Sequence, residues 1–226
     1  MSLMIFGTTG LCGKAFLASA EKSNYFSSIT SVTRRPINAN NVKVKEIVEK
    51  DVDKYLTIIS EEKPSVVFSG LATTRSAAGS AKAFVDIDHG VNLKIAEAAK
   101  AAGVNTFVIV SSIGASPLSH ILYLKTKGRI EQDIIALKFP RTIILRPGPL
   151  LGAREGSKGL LNDMSAAVFK YFHGTFLGNN VFFATKGSDV GEAAVKLILA
   201  PQEETTKPIV KIVGGTELLS LAASKN

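Results

Sequence analysis

The sequence predicts an α/β protein: a parallel, doubly wound sheet with helices on both faces and a small C-terminal cap. Three observations carry this. Short apolar runs of strand length alternate with longer stretches of helical periodicity. The apolar runs are nearly continuous, as strands buried on both faces require. A glycine-rich turn joins the first run to the first helix.

Residues 2–6 (SLMIF) read as a buried strand, 7–13 (GTTGLCG) as the turn and 14–20 as the first helix. The second strand covers 29–33 and stops at Arg34, Arg35 and Pro36. Over 41–48 apolar and polar residues alternate with one slip, which suits a third strand nearer an edge. A short helix over 51–60 leads through Pro64 into a fourth strand at 65–69. Phe84, Ile87, Val91, Ile95 and Ala98 then recur at helical spacing, and Gly103 ends that helix. Residues 105–110 (NTFVIV) form the fifth strand. The helix over 120–137 carries the stripe Ile121, Leu124, Ile130, Ile134 and Leu137, and 141–145 (RTIIL) is the sixth strand. Beyond Pro147 the pattern weakens. An amphipathic helix is expected over 160–172, a clear one over 187–200 and a seventh strand over 208–213. There is neither a repeat nor a long linker, so residues 1–226 read as one domain, with about 150–226 as cap elements over the open end of the sheet.

At 46% hydrophobic and 20% charged, the chain is too apolar and too mixed in charge for disorder. A single cysteine, Cys12, forbids an intrachain disulfide and a cysteine-based zinc site. Three scattered histidines, His89, His120 and His173, make no metal site, and none is expected. No apolar run reaches the ~20 residues of a membrane span, and the N-terminus has no basic leader. Lys and Arg outnumber Asp and Glu by 27 to 19, with the excess concentrated in 123–170. That surface would attract a phosphorylated small molecule or an anionic membrane. Nucleic acid is not expected, because no reading motif is present and there is no Trp for base stacking.

Gly7, Gly10 and Gly13 give G-x-x-G-x-x-G between a strand and a helix. Such a turn lets backbone approach a pyrophosphate closely, and the helix start offers free N–H groups and a positive dipole end. This is the dinucleotide loop of a Rossmann-like fold. At the end of the second strand, where a carboxylate would accept the ribose hydroxyls of NAD, the chain has Arg34 and Arg35. Guanidinium groups fork onto a 2′-phosphate, so these residues favour NADP(H). Tyr123 and Lys127 form Y-x-x-x-K on the helix, one turn apart on one face. An ammonium there is expected to lower the phenol's pKa toward working pH. Ser111 and Ser112 end the fifth strand, and either hydroxyl could hold a carbonyl. Asp86, Asp88 and His89 fall mid-helix, where solvated or N–H-capping roles are expected. His120 and His173 read as surface residues, and Arg146 fits an ion pair as well as a substrate contact. Cys12, in the first helical turn, is either an activated thiolate beside the phosphates or an inert apolar side chain.

These motifs together resemble the short-chain dehydrogenase/reductases. The strings LATTR (71–75), VSSIGA (110–115), YLKTKG (123–128) and LRPGPLLG (145–152) resemble its atypical Tat-interacting oxidoreductase-like group, and within it the fungal branch found in the mitochondrial proteome. The likeness runs from residue 3 to about 160 and is weaker beyond. It implies a domain holding NADPH. By position, Gly7, Thr9, Gly10, Leu11, Cys12 and Gly13 would line the pyrophosphate, and Arg34 and Arg35 would take the 2′-phosphate. Leu71, Ala72 and Thr73 would pass under the adenosine and ribose, Tyr123 and Lys127 would be catalytic, and Pro147, Gly148 and Leu150 would flank the nicotinamide. It also implies a peripheral, cytosol-facing place on the mitochondrial outer membrane. The expected function is an NADPH-dependent reductase of a small carbonyl compound. The alternative is an NADPH-sensing interaction protein at the mitochondrial surface without turnover. Substrate and oligomeric state are not legible.

Overall fold

The structure is a computed structural model that describes residues 1–151, 184–201 and 206–224. Its strands are β1 (Ser2–Phe6), β2 (Ser28–Thr33), β3 (Val44–Val48), β4 (Val66–Ser69), β5 (Thr106–Val110), β6 (Arg141–Arg146), β7 (Leu150–Leu151), β8 (Thr185–Lys186) and β9 (Ile209–Gly214). Its α-helices are α1 (Leu11–Lys22), α2 (Tyr55–Glu62), α3 (Arg75–Ala78), α4 (Ala81–Val85), α5 (Asn92–Ala101), α6 (Leu122–Ala136), α7 (Gly187–Leu199) and α8 (Gly215–Ala223). Seven strands form one parallel sheet in the order β3-β2-β1-β4-β5-β6-β9, while β7 and β8 pair separately. The order reverses direction between β1 and β4, so a crevice opens at the carboxyl ends of those strands.

Residues alternate between the two faces of each strand, and the core divides accordingly. Leu3 and Ile5 of β1, Phe68 of β4, Val108 of β5 and Ile143 of β6 join Phe16 of α1, Val190 and Ala194 of α7 and Leu218 of α8 in one layer. Met4, Phe6, Val67, Phe107, Ile109 and Ile144 face the other way, onto Ile59 of α2, Ile95 of α5 and Ile130 and Ile134 of α6. At roughly 1.5–3 kcal/mol per fully buried side chain, these layers supply the main stabilising term. Arg141, buried at the start of β6, donates to the carbonyls of Leu197 at 2.5 Å and Ile198 at 2.9 Å. A cation thereby satisfies the open C-terminal end of α7.

The six strands expected through residue 145 and the seventh near 208–213 are all present. Three differences are informative. Helix α1 begins at Leu11 rather than 14, so Leu11, Cys12 and Gly13 are its first turn. The long helix expected around 84–98 is interrupted by a π-helical segment, Asp86–Val91. Helix α8 was not anticipated, since only Leu218, Leu221 and Ala222 form its inner face. The helix expected over 160–172 lies outside the described residues.

Candidate functional site

Five loops leave the carboxyl ends of β1, β2, β4, β5 and β6 along one edge of the sheet, and the glycine turn, Arg34 and Arg35, residues 71–73, the serine pair and residues 147–150 follow these ends directly. Gly7 has φ +90, and a Cβ on it would stand 2.7 Å from the carbonyl carbon of Gly70 after β4. A Cβ on Gly13 would stand 2.1 Å from the Gly7 oxygen. Both glycines are therefore required for α1 to start this close to the sheet. The Gly10 amide donates to the Gly7 carbonyl at 2.9 Å, which closes the turn. Thr8 bonds Ser31 of β2 at 2.8 Å and ties the loop to the neighbouring strand. The amides at the start of α1 are left facing the crevice.

Arg34 and Arg35 are both exposed but diverge. Arg35 lines a groove of about 740 Å³ together with Thr8, Thr9 and Gly10 of the turn and Lys14 of α1. Arg34 is not among the described residues lining that groove and lies within electrostatic reach of Tyr55 at the start of α2. Glu46 of β3 fixes the groove's far wall. Its carboxylate accepts the amide of Ile37 at 3.0 Å and that of Ala39, on either side of Asn38 with φ 52. These backbone bonds hold its pKa below the ordinary carboxylate value. Lys14 and Glu46 were not singled out from the sequence. Lys14 sits one residue past the glycine motif, and Glu46 gave no signal at all.

Tyr123 and Lys127 share a face of α6, as their spacing requires. The Tyr123 ring packs on Phe84 of α4, centroids 6.1 Å apart. Ser112 lies beside the phenol and favours its ionisation while its hydroxyl donates to the Ile113 carbonyl at 3.2 Å, whereas Ser111 donates to Glu131 of α6. The structure thus separates two serines that the sequence left equivalent. Glu131 also takes Arg146 in a two-point pair, Nε to Oε1 at 2.9 Å and a second guanidinium nitrogen on Oε2. Arg146 is an ion-pair partner, and the Ser111, Glu131 and Arg146 group locks the ends of β5 and β6 onto α6.

Two expectations need correction. The phenol of Tyr123 is pushed above the ordinary tyrosine value, not lowered. Burial raises it most, and the help of Lys127 and Ser112 is offset in part by Asp88 and Cys12. Asp88 is not solvated, and the backbone N–H it takes is that of Thr73 in the loop after β4. Asp88 is fully buried, with Oδ1 2.8 Å from the Lys127 ammonium and Oδ2 accepting the Thr73 amide at 2.7 Å. Burial opposes the charge on Lys127, but Asp88 and Tyr123 outweigh it, and its pKa is raised. The neighbouring residues are ordinary: Asp86 pairs with Lys82 at the surface, and His89 meets Asp133 of α6 at 2.6 Å.

Leu71, Ala72 and Thr73 form the loop after β4, anchored from α5 by Asn92, which takes the Ser69 hydroxyl at 2.5 Å and donates to the Leu71 carbonyl at 3.2 Å. Pro147 accepts the Ile113 amide at 3.0 Å, Gly148 donates to Thr185 at 3.2 Å, and Leu150 lies on β7. Cys12 is buried in the α1 layer yet close enough to influence both Tyr123 and Lys127. His120 is exposed, and His173 lies outside the described residues. Among the described residues no group of His, Cys, Asp and Glu could hold a metal ion.

A family model, HIM1, matches residues 20–174. Among curated relatives, "Protein FMP52-1, mitochondrial" of Scheffersomyces stipitis is 48% identical over 226 residues, covering 98% of each chain. The structure is also similar to MoeE5 in complex with UDP-glucose and NAD, with TM-score 0.68, 18% identity and coverage of 99% of this chain and 81% of that one. It is similar to the oxidoreductase ylbE from Lactococcus lactis as well, with TM-score 0.68, 16% identity and coverage of 98% and 95%. At such identities the structural likenesses show the fold alone, a Rossmann-like α/β architecture.

Proposed function

We propose that this chain, which belongs to the HIM1 family and to the yeast proteins named FMP52, is an NADP(H)-dependent reductase of the atypical short-chain dehydrogenase/reductase type, as its likeness to the Tat-interacting oxidoreductase-like group implies. The observation that carries the reading is the Tyr123, Lys127 and Ser112 cluster facing the glycine turn across the sheet's switch point.

The residues fit a dinucleotide. Gly7 and Gly13 leave no room for a side chain, so the start of α1 packs closely on the ends of β1 and β4, and a helix start held there is what a pyrophosphate takes. Arg35 and Lys14 put two cations in the groove beside that turn, where a 2′-phosphate would be held by charge-assisted bonds. NAD in the MoeE5 complex supports a nicotinamide nucleotide, and the two groove cations support its phosphorylated form. The bound nucleotide would supply a hydride. Tyr123 holds the proton that a reduced carbonyl oxygen needs, and its raised pKa keeps that proton in place at neutral pH. Ser112 orients the acceptor oxygen toward the phenol. Lys127 would meet the nucleotide's ribose and offset charge as the proton leaves.

The location belongs to the proposal as well: peripheral, on the cytosolic side of the mitochondrial outer membrane. The relative's printed name supports the organelle. The basic excess of the chain suits an anionic lipid surface. Among the described residues no helix is long and apolar enough to cross a membrane.

The test begins with nucleotide co-purified with the protein, identified by mass spectrometry, and with titration of NADPH and NADH. NADPH oxidation is then followed against a panel of small carbonyl compounds. Tyr123→Phe should remove turnover and keep NADPH affinity within about threefold, because the ring's packing on Phe84 survives. Binding of neither nucleotide overturns the reading. Tight NADPH binding with no turnover in either form favours the sensing role.

A further inference from the structure

The π-helical segment Asp86–Val91 buries a carboxylate where the sequence pattern predicted a mid-helix residue in a solvated or N–H-capping role. Such wide turns shift the helical register and recur at functional sites. Here the segment is tied to α6 twice, by Asp88 to Lys127 and by His89 to Asp133. Asp88 and Asn92, one turn apart, together grip the segment after β4: Asn92 holds Ser69 and the Leu71 carbonyl, and Asp88 holds the Thr73 amide. The two oxygens of Asp88 therefore do different things. One fixes the loop of residues 71–73, and the other meets a fully buried ammonium.

We propose that Asp88 is a positioning residue of the Tyr123–Lys127 pair: it anchors the 71–73 loop, draws the charge of Lys127 to itself and so keeps Tyr123 a proton donor rather than a proton acceptor. The inference rests on reading Tyr123 and Lys127 as the reactive pair. Its basis is geometric. An ammonium 2.8 Å from a carboxylate, both shielded from water, presents its neighbours with a dipole rather than a full positive charge. The ammonium still favours the phenolate, the carboxylate offsets part of that help, and burial governs the phenol. The groups facing Tyr123 are Lys127 from its own helix, Asp88 from the π segment, the Ser112 hydroxyl from the end of β5 and Cys12 from α1. Of the two that raise its pKa by charge, Asp88 is the larger. The consequence is a site set for reduction. An oxidation would need a phenolate base, which this arrangement disfavours.

The test is the ionisation of Tyr123, read as the near-ultraviolet absorbance of phenolate in the nucleotide-free protein, with Tyr123→Phe subtracted. Asp88→Asn keeps the side chain's size and an oxygen for the Thr73 amide but leaves the Lys127 charge to the phenol. The Tyr123 midpoint should fall by roughly one to two pH units. Asp88→Ser, whose hydroxyl can also accept from Thr73, should move it the same way and serves if the Asn variant does not fold. In a Lys127→Met background the effect of Asp88→Asn should shrink to less than half. An unmoved midpoint in a folded Asp88 variant overturns the proposal, as does a shift undiminished without the lysine. The titration needs no nucleotide. Failure of the wild type to bind NADPH or NADH would overturn the cofactor reading and leave this result standing on its own.

Discussion

Arg35 and Arg34 are adjacent in sequence but should contribute unequally to nucleotide choice. Arg35 shares its groove with Lys14, Thr8 and Thr9, whereas Arg34 turns toward Tyr55. A hydrogen bond to a charged group contributes about 1.5–3 kcal/mol. Arg35 is exposed, and solvent screening places it in the lower part of that range, about 1.5–2 kcal/mol. Arg35→Ala should therefore weaken NADPH about 10- to 30-fold. NADH, which has no 2′-phosphate, should change by less than about twofold. Arg34→Ala should cost NADPH no more than about threefold. The assay is calorimetric titration of both nucleotides into wild type and the two variants, repeated at higher salt. Screening should shrink the Arg35 effect at higher salt and leave NADH binding largely unchanged. Equal losses for NADPH and NADH, or a larger loss from Arg34→Ala than from Arg35→Ala, would refute the assignment of this groove to the 2′-phosphate.

Glu46 has a lowered folded-state pKa, so its grip on the loop is fully present above the ordinary carboxylate range and is lost as pH falls through the lower folded value. Acidification into that window, or Glu46→Gln at neutral pH, should speed amide exchange at Ile37 and Ala39 and weaken NADPH several-fold. Unchanged exchange would show that the loop holds itself. Gly128 lies where α6 meets the preceding loop, and a Cβ there would fall 2.2 Å from the Ser116 carbonyl carbon. Gly128→Ala should destabilise by about 1–3 kcal/mol, measured as the shift of a urea transition, and a wild-type transition would mean that the loop gives way freely. The two serines should separate. Ser112→Ala should lower turnover with little change in stability, while Ser111→Ala, which strips a donor from buried Glu131, should lower stability first. The reverse pattern in kcat and melting temperature would exchange their roles.

The fold was legible because its signals are local. SLMIF, VVFS and TFVIV are runs that only a strand buried on both faces tolerates, and Gly7 to Gly13 mark a turn whose steric demands admit few other residues. The Tyr123 and Lys127 spacing was legible for the same reason, since one helical turn fixes both on a face. What the sequence left open depends on contacts between distant segments. Ser111 and Ser112 differ only in which helix side chain each meets, Glu131 or Tyr123. Arg34 and Arg35 differ in what each meets, Arg35 the groove beside the glycine turn and Arg34 the charge environment of Tyr55. Helix α8 buries so short a stripe that periodicity gives no warning.

Asp88 shows the limit most sharply. Mid-helix carboxylates are ordinarily solvated, and Asp86, two residues earlier, is. Inferring the burial of Asp88 required a π turn that no residue pattern announces and a lysine 39 positions further along the chain. Burial, with this ion pair adding to it, also explains why the phenol's direction was misjudged. Y-x-x-x-K alone sets an ammonium against a phenol and predicts easier ionisation. A buried carboxylate 2.8 Å from that ammonium offsets part of the effect, and desolvation, the largest cause, prevails. A motif of two residues gives the components of a proton-transfer site, but the proton affinity of the phenol is set by its burial, with a third charge adding to it. Here that charge comes from the helix that also anchors the 71–73 loop, so the geometry of the loop and the proton affinity of Tyr123 are coupled through one side chain.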